Sequence, residues 1–339
     1  MRDRYSRQEL FLPIGHEGQK KIRRKHAVIV GMGALGSSIA DMLARAGIGK
    51  LTILDRDYVD WSNLGRQLLY EENDAANHLP KAIAAKEKLH RINHEVEVEA
   101  HVMDVTGSDL AALVNRDVDV ILDGTDQFEV RLMINDVAHK YKIPWIYGAC
   151  VGSYGMSYTI IPGETPCLHC LLQSAPLQGP TCDTAGVISP IVHLITAHQT
   201  AEALKLLVDG KESLRRKLIS FDLWNYQHQS IQVDQLKRTD CPSCGENPTY
   251  PYIQESAIQT DVLCGRDTVQ IRPVHKETRN LDQLQQLLEQ KEGRTVRNDY
   301  LIMHQSDHRF VFFKDGRVLV HGTKDIQQAA KLYRGLVAQ

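Results

Sequence analysis

The chain has 339 residues, with 40 Lys and Arg against 42 Asp and Glu, a net charge of -2 and a pI near 6.7. That balance excludes the basic footprint of a nucleic-acid-binding protein, and the length suits one large domain plus a smaller one. No apolar run reaches membrane-spanning length and the polar, charged start is not that of a signal peptide, so a cytoplasmic location is expected, where seven cysteines serve metal or thiol chemistry rather than disulfides.

Residues 1–26 form a polar, basic arm containing Tyr5-Ser6-Arg7-Gln8, in which Arg7 on its residue type alone is a solvated cation. The apolar run at 27–30 predicts a buried parallel strand, and Gly31-Met32-Gly33-Ala34-Leu35-Gly36 follows it directly, ahead of a helical pattern at 37–46. Strand, glycine turn and helix together make a GxGxxG credible, because N–H groups at the helix start face an anion. A second apolar run, 51–54, ends in Asp55, about 20 residues on, where a carboxylate can grip a ribose hydroxyl. These features alone point to a nucleotide, with NAD as the default.

The next residues argue against NAD. Ser62-Asn63-Leu64-Gly65-Arg66-Gln67 places two amides and a guanidinium near the phosphate end of the site. A hydride-transfer enzyme has no use for an arginine there, whereas phosphoryl or adenylyl transfer needs positive charge where negative charge accumulates. A helix is predicted from Leu79-Pro80-Lys81 to Asn93, and alternation at 96–100 predicts a strand. The buried run 117–122 leads into Asp123-Gly124-Thr125-Asp126, which puts a carboxylate at the crevice where open α/β sheets bind ligands. With a helix at 127–142 and a strand at 145–149, the expected fold is α/β, a doubly wound, mainly parallel sheet.

Cys167-Leu168-His169-Cys170 and, 71 residues beyond Cys170, Cys241-Pro242-Ser243-Cys244 form two CxxC pairs. In a reducing compartment such pairs close a tetrahedral four-thiolate zinc site, with no position left for water, so the zinc is structural and His169 is not needed as a ligand. Between the pairs, a loop placement makes Cys182 accessible, although a spare thiol explains it equally well. Cys150 ends a buried strand and packs. A long helix is expected at 190–208. The domains expected are 1–246, nucleotide-binding with the four-cysteine site; 247–262, a linker; and 263–339, a small α+β unit. That last unit has a strand near 268–272, a helix 281–291 capped by Asn280, a hairpin turning at Asp315-Gly316 and a closing helix 326–337. Cys264-Gly265-Arg266 precedes a strand rather than following one and is read as incidental.

Taken together, RYSRQ, GMGALG, DRDYVDWSNLGRQ, PKA, DGTD, CLHC, TCDTAGV and CPSC stand in the order that the bacterial ubiquitin-activating-enzyme-like adenylyltransferases have them, and residues 4–246 resemble that family. The resemblance implies ATP- and Mg²⁺-dependent adenylylation of the C-terminal Gly-Gly of a small ubiquitin-like sulfur carrier, either the molybdopterin-synthase small subunit or the thiazole sulfur carrier. It implies that Gly31, Gly33, Ala34 and Gly36 shape the nucleotide turn and that Asp55 takes the ribose. Ser62, Asn63, Leu64, Gly65 and Arg66 line the phosphates, Lys81 neutralises their charge, and Asp126 holds Mg²⁺. Arg7 resembles an arginine that a homodimer delivers into its partner's site, and Cys182 matches a loop cysteine that takes the carrier's acyl group in some members. A sulfur-donor protein is a further partner the resemblance allows; nucleic acid and membrane are not expected.

Three departures stand out: Ala34 and Gly65 replace a common Gly and Gln, and Gln127 replaces a common Asn, which alters one phosphate or ribose contact. Three rivals share parts of the pattern: a nicotinamide-dependent oxidoreductase, a non-catalytic zinc-stabilised binding module, and the related branch that dehydrates threonylcarbamoyladenosine in tRNA. The acidic pI and the paired CxxC motifs weigh against the last.

Overall fold

The computed structural model describes residues 4–114, 117–173, 185–254, 260–263, 267–272 and 278–337. They fall into two compact units, residues 1–76 with 80–255, and residues 77–79 with 256–339.

The first unit is built on an eight-stranded sheet. Its strands are β1 (His26–Val30), β2 (Lys50–Asp55), β3 (Glu97–Val102), β4 (Val120–Asp123), β5 (Trp145–Val151), β6 (Tyr154–Ile160), β7 (Lys217–Asp222) and β8 (Gln227–Gln232), in the order β3-β2-β1-β4-β5-β6-β7-β8. Pairings from β3 to β5 are parallel, with Ile29 opposite both Ile53 and Leu122, while β5 to β8 pair antiparallel. The chain runs outward from β1 to β3 and then returns to place β4 on the other side of β1, so the order reverses between β1 and β4. In open α/β sheets that reversal leaves a crevice at the carboxyl ends of the strands. β4 begins three residues later than its apolar run suggests, because Asp117 adopts a left-handed turn (φ 47°) and the Asp119 carboxylate is taken up by Lys25 and the His26 amide.

Helices cover both faces. Helix Ala34–Ala46 buries Leu35, Ile39, Leu43 and Ala46 at helical spacing, and stops at Gly47, whose φ of 79° suits glycine. A side chain at Gly47 would also strike the Tyr5 ring, at 2.5 Å. Helix Ser189–Asp209 is apolar on several sides and is held by polar contacts too: Gln199 Nε2 donates to the carbonyls of Asp123 (2.9 Å) and Ile146 (3.1 Å). Among the described residues no helix is long and apolar enough to cross a membrane.

The span expected as a linker, 247–262, carries elements instead. Helix Pro251–Gln254 packs Tyr252 and Ile253 against the first unit's core, and the Tyr252 amide donates to Asp136 Oδ2 at 2.9 Å.

The second unit is a six-stranded antiparallel sheet of β9 (Thr260–Leu263), β10 (Thr268–Ile271), β11 (Arg294–Arg297), β12 (Leu301–Gln305), β13 (Arg309–Phe313) and β14 (Val318–His321), ordered β11-β12-β13-β14-β10-β9. Helices Leu281–Leu288 and Ile326–Val337 lie on the face formed by Ile302, Phe310, Phe312, Val318 and Val320. Asn280 caps the first of them, accepting from the amides of Asp282 and Gln283.

The four cysteines of the two pairs meet. Their sulfurs lie within 4.8 Å of one another, with Cys167–Cys170 at 3.8 Å and Cys167–Cys241 and Cys170–Cys244 at 3.5 Å. A Zn–S distance of about 2.3 Å implies tetrahedral sulfurs about 3.8 Å apart, so the set fits zinc. Cys167, Cys170 and Cys241 are buried. Both knuckles are tied to helix Phe128–Tyr141, where Asn135 Oδ1 accepts the Leu168 amide and Asp136 holds Tyr252 beyond the second pair. The metal thus joins segments 74 residues apart to one helix of the sheet.

Purified protein should therefore contain one zinc per chain, and Cys170→Ser should lose it. A loss of about 3 kcal/mol would lower the melting temperature by about 6–12 °C, measurable by calorimetry alongside metal analysis. A metal-free variant with an unchanged melting temperature would contradict a structural zinc.

Candidate functional site

The crevice at the end of β1 exists because three glycines touch. A Cβ on Gly36 would sit 1.8 Å from the Gly31 carbonyl oxygen, and one on Gly124 would sit 2.3 Å from the same atom. Gly31 itself has φ 88°. Only glycine lets the turn, the helix start and the β4 loop approach this closely. Gly33 is the N-cap of helix Ala34–Ala46 and offers no side-chain cap, so the first amides of that helix, from Ala34 through Gly36, have no capping side chain to satisfy them. That is an anion site in form.

Asp55 closes the turn from the β2 side. Its Oδ2 accepts the Met32 amide (2.6 Å) and its Oδ1 the Asp57 amide (2.7 Å). Burial pushes its carboxyl above the usual range, and the nearby Lys81 charge works against that push. Lys81, at the start of helix Lys81–Ile92 and only 5 % exposed, places Nζ 3.0 Å from Asp57 Oδ2. Tyr70 joins the two parts: its buried hydroxyl donates to the Met32 carbonyl (2.6 Å), with the Lys81 carbonyl at 3.3 Å. Turn, acid and lysine therefore form one hydrogen-bonded block.

The SNLGRQ stretch folds as a short 3-10 turn, Trp61–Asn63, in which Asp60 and Asn63 cap each other. Asn63 is buried, Ser62 exposed, and Arg66 half-buried with its guanidinium on the Ser62 carbonyl at 2.8 Å. The buried Gln67 leaves Oε1 without a protein partner. Gly65 faces open space, so a larger side chain would have room there.

Across the crevice, Asp126 is exposed and Gln127 half-buried, the latter serving as N-cap of helix Phe128–Tyr141 without a side-chain cap bond. Beneath them lies a pair that motif reading missed. Asp123 is fully buried; its Oδ2 takes Arg131 Nε at 2.9 Å, and its Oδ1 takes the amide and hydroxyl of Thr125. Arg131 Nη2 also donates to the carbonyls of Thr125 and Gly148. Burial opposes the guanidinium's charge, but Asp123 outweighs it and holds its pKa above the ordinary value. This pair fixes the loop that presents Asp126. Its only sequence signal is an arginine eight residues after a strand-ending aspartate.

Arg7 is not in this site. It is exposed on the short helix Ser6–Glu9, whose neighbour Gln8 donates to the Ala46 carbonyl (3.0 Å), while the Tyr5 hydroxyl accepts from Asn93 (2.8 Å). Both anchors lie at the far end of helix Ala34–Ala46, which at 13 residues is about 20 Å long. Cys182 and Cys264 lie outside the described residues.

Known proteins resemble this chain in sequence and in fold. The ThiF family model matches residues 5–243. A sulfur carrier protein ThiS adenylyltransferase of Bacillus subtilis is 49 % identical over 98 % of both chains. The molybdopterin-synthase adenylyltransferase of Escherichia coli is 33 % identical over 72 % of this chain and 96 % of its own. In structure, E. coli MccB aligns with a TM-score of 0.62 at 24 % identity, over 73 % of each chain, a likeness of fold. The chain belongs to the ThiF family of adenylyltransferases.

Proposed function

We propose that the chain uses ATP to adenylylate the C-terminal glycine of a ThiS-type, ubiquitin-like sulfur carrier, releasing pyrophosphate and priming the carrier for thiocarboxylate formation. The observation that carries this choice of carrier is identity to one relative, the B. subtilis ThiS adenylyltransferase, at 49 % over 98 % of both chains, against 33 % over 72 % of this chain for the molybdopterin-synthase relative.

In this reading the carrier's terminal carboxylate attacks the α-phosphorus of ATP. A carboxylate–phosphorus bond forms, the bond to the bridging oxygen breaks, and pyrophosphate leaves. The nucleophile is already ionised, so no side chain need act as base. The barrier is repulsion between anions, which positive charge placed near the phosphates lowers. The open amides from Ala34 to Gly36 receive phosphate oxygens, Asp55 the ribose, and Lys81 and Arg66 the developing charge. Asp126 suits Mg²⁺, which takes one or two carboxylates plus substrate phosphates rather than an all-protein cage, and which when bound adds further positive charge at the phosphates. A nicotinamide enzyme would leave Lys81, Arg66 and Asp126 without a task. Cys182 is assigned to a later acyl- or sulfur-transfer step, and the reaction to the cytoplasm.

Arg7 serves a second chain in this account. A side chain anchored about 20 Å from its own glycine turn cannot reach it, which favours a homodimer in which each arm completes the other's site.

Two measurements test this. ATP–pyrophosphate exchange should be at least about tenfold more efficient with a ThiS-type carrier than with the molybdopterin-synthase small subunit, and Asp126→Asn should lower it by about 10²–10³. Equal rates with both carriers would remove the choice of carrier. Separately, Arg7→Ala and Asp126→Ala homodimers should each be inactive, yet regain exchange when their subunits are allowed to swap. With equal amounts, about half the dimers are mixed and about a quarter of sites intact. Proven subunit exchange without recovered activity would place Arg7 outside the partner's site.

A further inference from the structure

Arg7 sits on an arm that is not free to swing. Gln8 donates to the Ala46 carbonyl, Asn93 donates to the Tyr5 hydroxyl, and the Tyr5 ring lies against Gly47. A second copy that receives Arg7 has therefore to come to the arm. In a symmetric dimer the two-fold axis passes through the midpoint between any atom and its image. With Arg7 of the second copy at the first copy's glycine turn, that midpoint lies halfway between the first copy's own arm and its own turn. Helix Ala34–Ala46 spans that separation, about 20 Å, so the axis runs beside the middle of the helix.

The surface at that level suits a meeting with its own copy. Asp41, near the middle of the helix, shares an open cavity of about 360 Å³ with Arg45, Leu68, Lys88 and Arg91. A surface facing its own image sets each charge against the same charge, so near-neutrality favours the contact. Here Arg45 Nε donates to both carboxylate oxygens of Asp41 (2.9 and 3.0 Å) and Lys88 pairs with Glu71, leaving Arg91 as the surplus charge of the lining. Leu68 is 51 % exposed beside these pairs. Two further apolar stretches flank this level. At the arm, Leu10, Phe11 and Leu12 are consecutive and exposed, and at the rim of the site, ahead of Arg66, Trp61 is exposed. The rotation that lays Arg7 at the glycine turn also brings the arm's leucines and phenylalanine, three to five residues further on, to that rim. One symmetry operation thus covers both stretches, whereas an unrelated partner would have to cover each separately.

We propose that this flank is where two copies of the chain meet: Leu68 faces its counterpart across the axis, and Leu10, Phe11 and Leu12 of each copy pack over Trp61 of the other. This rests on the assignment of Arg7 to a second chain given above.

The test uses the full-length protein. Leu68→Cys, oxidised with copper phenanthroline, should give a covalent dimer whose disulfide maps to position 68 in both chains, because joined Cα atoms lie within about 7 Å. Wild-type protein, with its seven cysteines, is the control and should not yield that dimer. Leu68→Arg and Phe11→Arg, both at exposed positions, should each raise the dimer dissociation constant at least about tenfold in sedimentation velocity. Their exchange activity per chain should then rise with protein concentration, while that of wild type stays constant. Wild-type protein that is monomeric at assay concentrations would overturn the proposal. So would a dimer that both arginine variants leave intact, or one that forms only when carrier is added. If the dimer behaves as predicted but no carrier supports pyrophosphate exchange, the adenylylation reading fails and the contact between copies stands.

Discussion

The contact on which the site depends is backbone against backbone. Gly31, Gly36 and Gly124 bring the β1 turn, the start of the following helix and the β4 loop within distances that no Cβ allows. That approach sets uncapped helix amides beside the ends of β1, β2 and β4 at once. Asp55 then fixes the turn through the Met32 amide, and the Asp123–Arg131 pair fixes the β4 loop from below. The Asp123–Arg131 pair is not there to strengthen the fold as such, since a buried ion pair is a weak source of stability. What each supplies is a single geometry for an exposed functional group above it.

The crevice also carries more carboxylates than cations among its inner residues. Asp55, Asp57, Asp104 and Asp126 face Lys81 and Arg56, with Arg66 to one side. An ATP site so rich in acid would repel its ligand unless cations were added, and this accounts for two features together. A lone exposed carboxylate at Asp126 is suited to a metal that arrives with the nucleotide. An arginine from a second chain, as proposed for Arg7, would add charge on the phosphate side. The four-cysteine centre anchors the chain's later segments to helix Phe128–Tyr141.

Much of this was legible in the residues. Of the parallel strands, β1, β2, β4 and β5 announced themselves as short buried apolar runs and β3 by its alternation, the glycine turn and its helix by their order, and the metal by its two CxxC pairs. The antiparallel strands beyond β5 were not. β8 is Gln227–Gln232, exposed at every position, and has no alternation to detect. Arg131 needs the folded loop before its partner is visible, and Tyr70 reads as an apolar residue until its hydroxyl meets two carbonyls. Arg56 was hidden by its neighbours, because three adjacent charges suggest a solvated surface. The arm's anchoring depends on Tyr5 meeting Gly47, a contact between distant residues that leaves no local pattern. In each case the missing information was tertiary.

The central claim is that an intact acyl–adenylate forms on a carrier protein. Intact-mass spectrometry of a purified ThiS-type carrier, incubated with ATP, Mg²⁺ and this enzyme and with no sulfur donor, reads that bond directly. The account predicts a carrier heavier by one AMP moiety, placed at the C-terminal glycine by fragmentation, with one pyrophosphate released per carrier modified. Turnover of ATP to ADP and phosphate, with the carrier's mass unchanged, would contradict it.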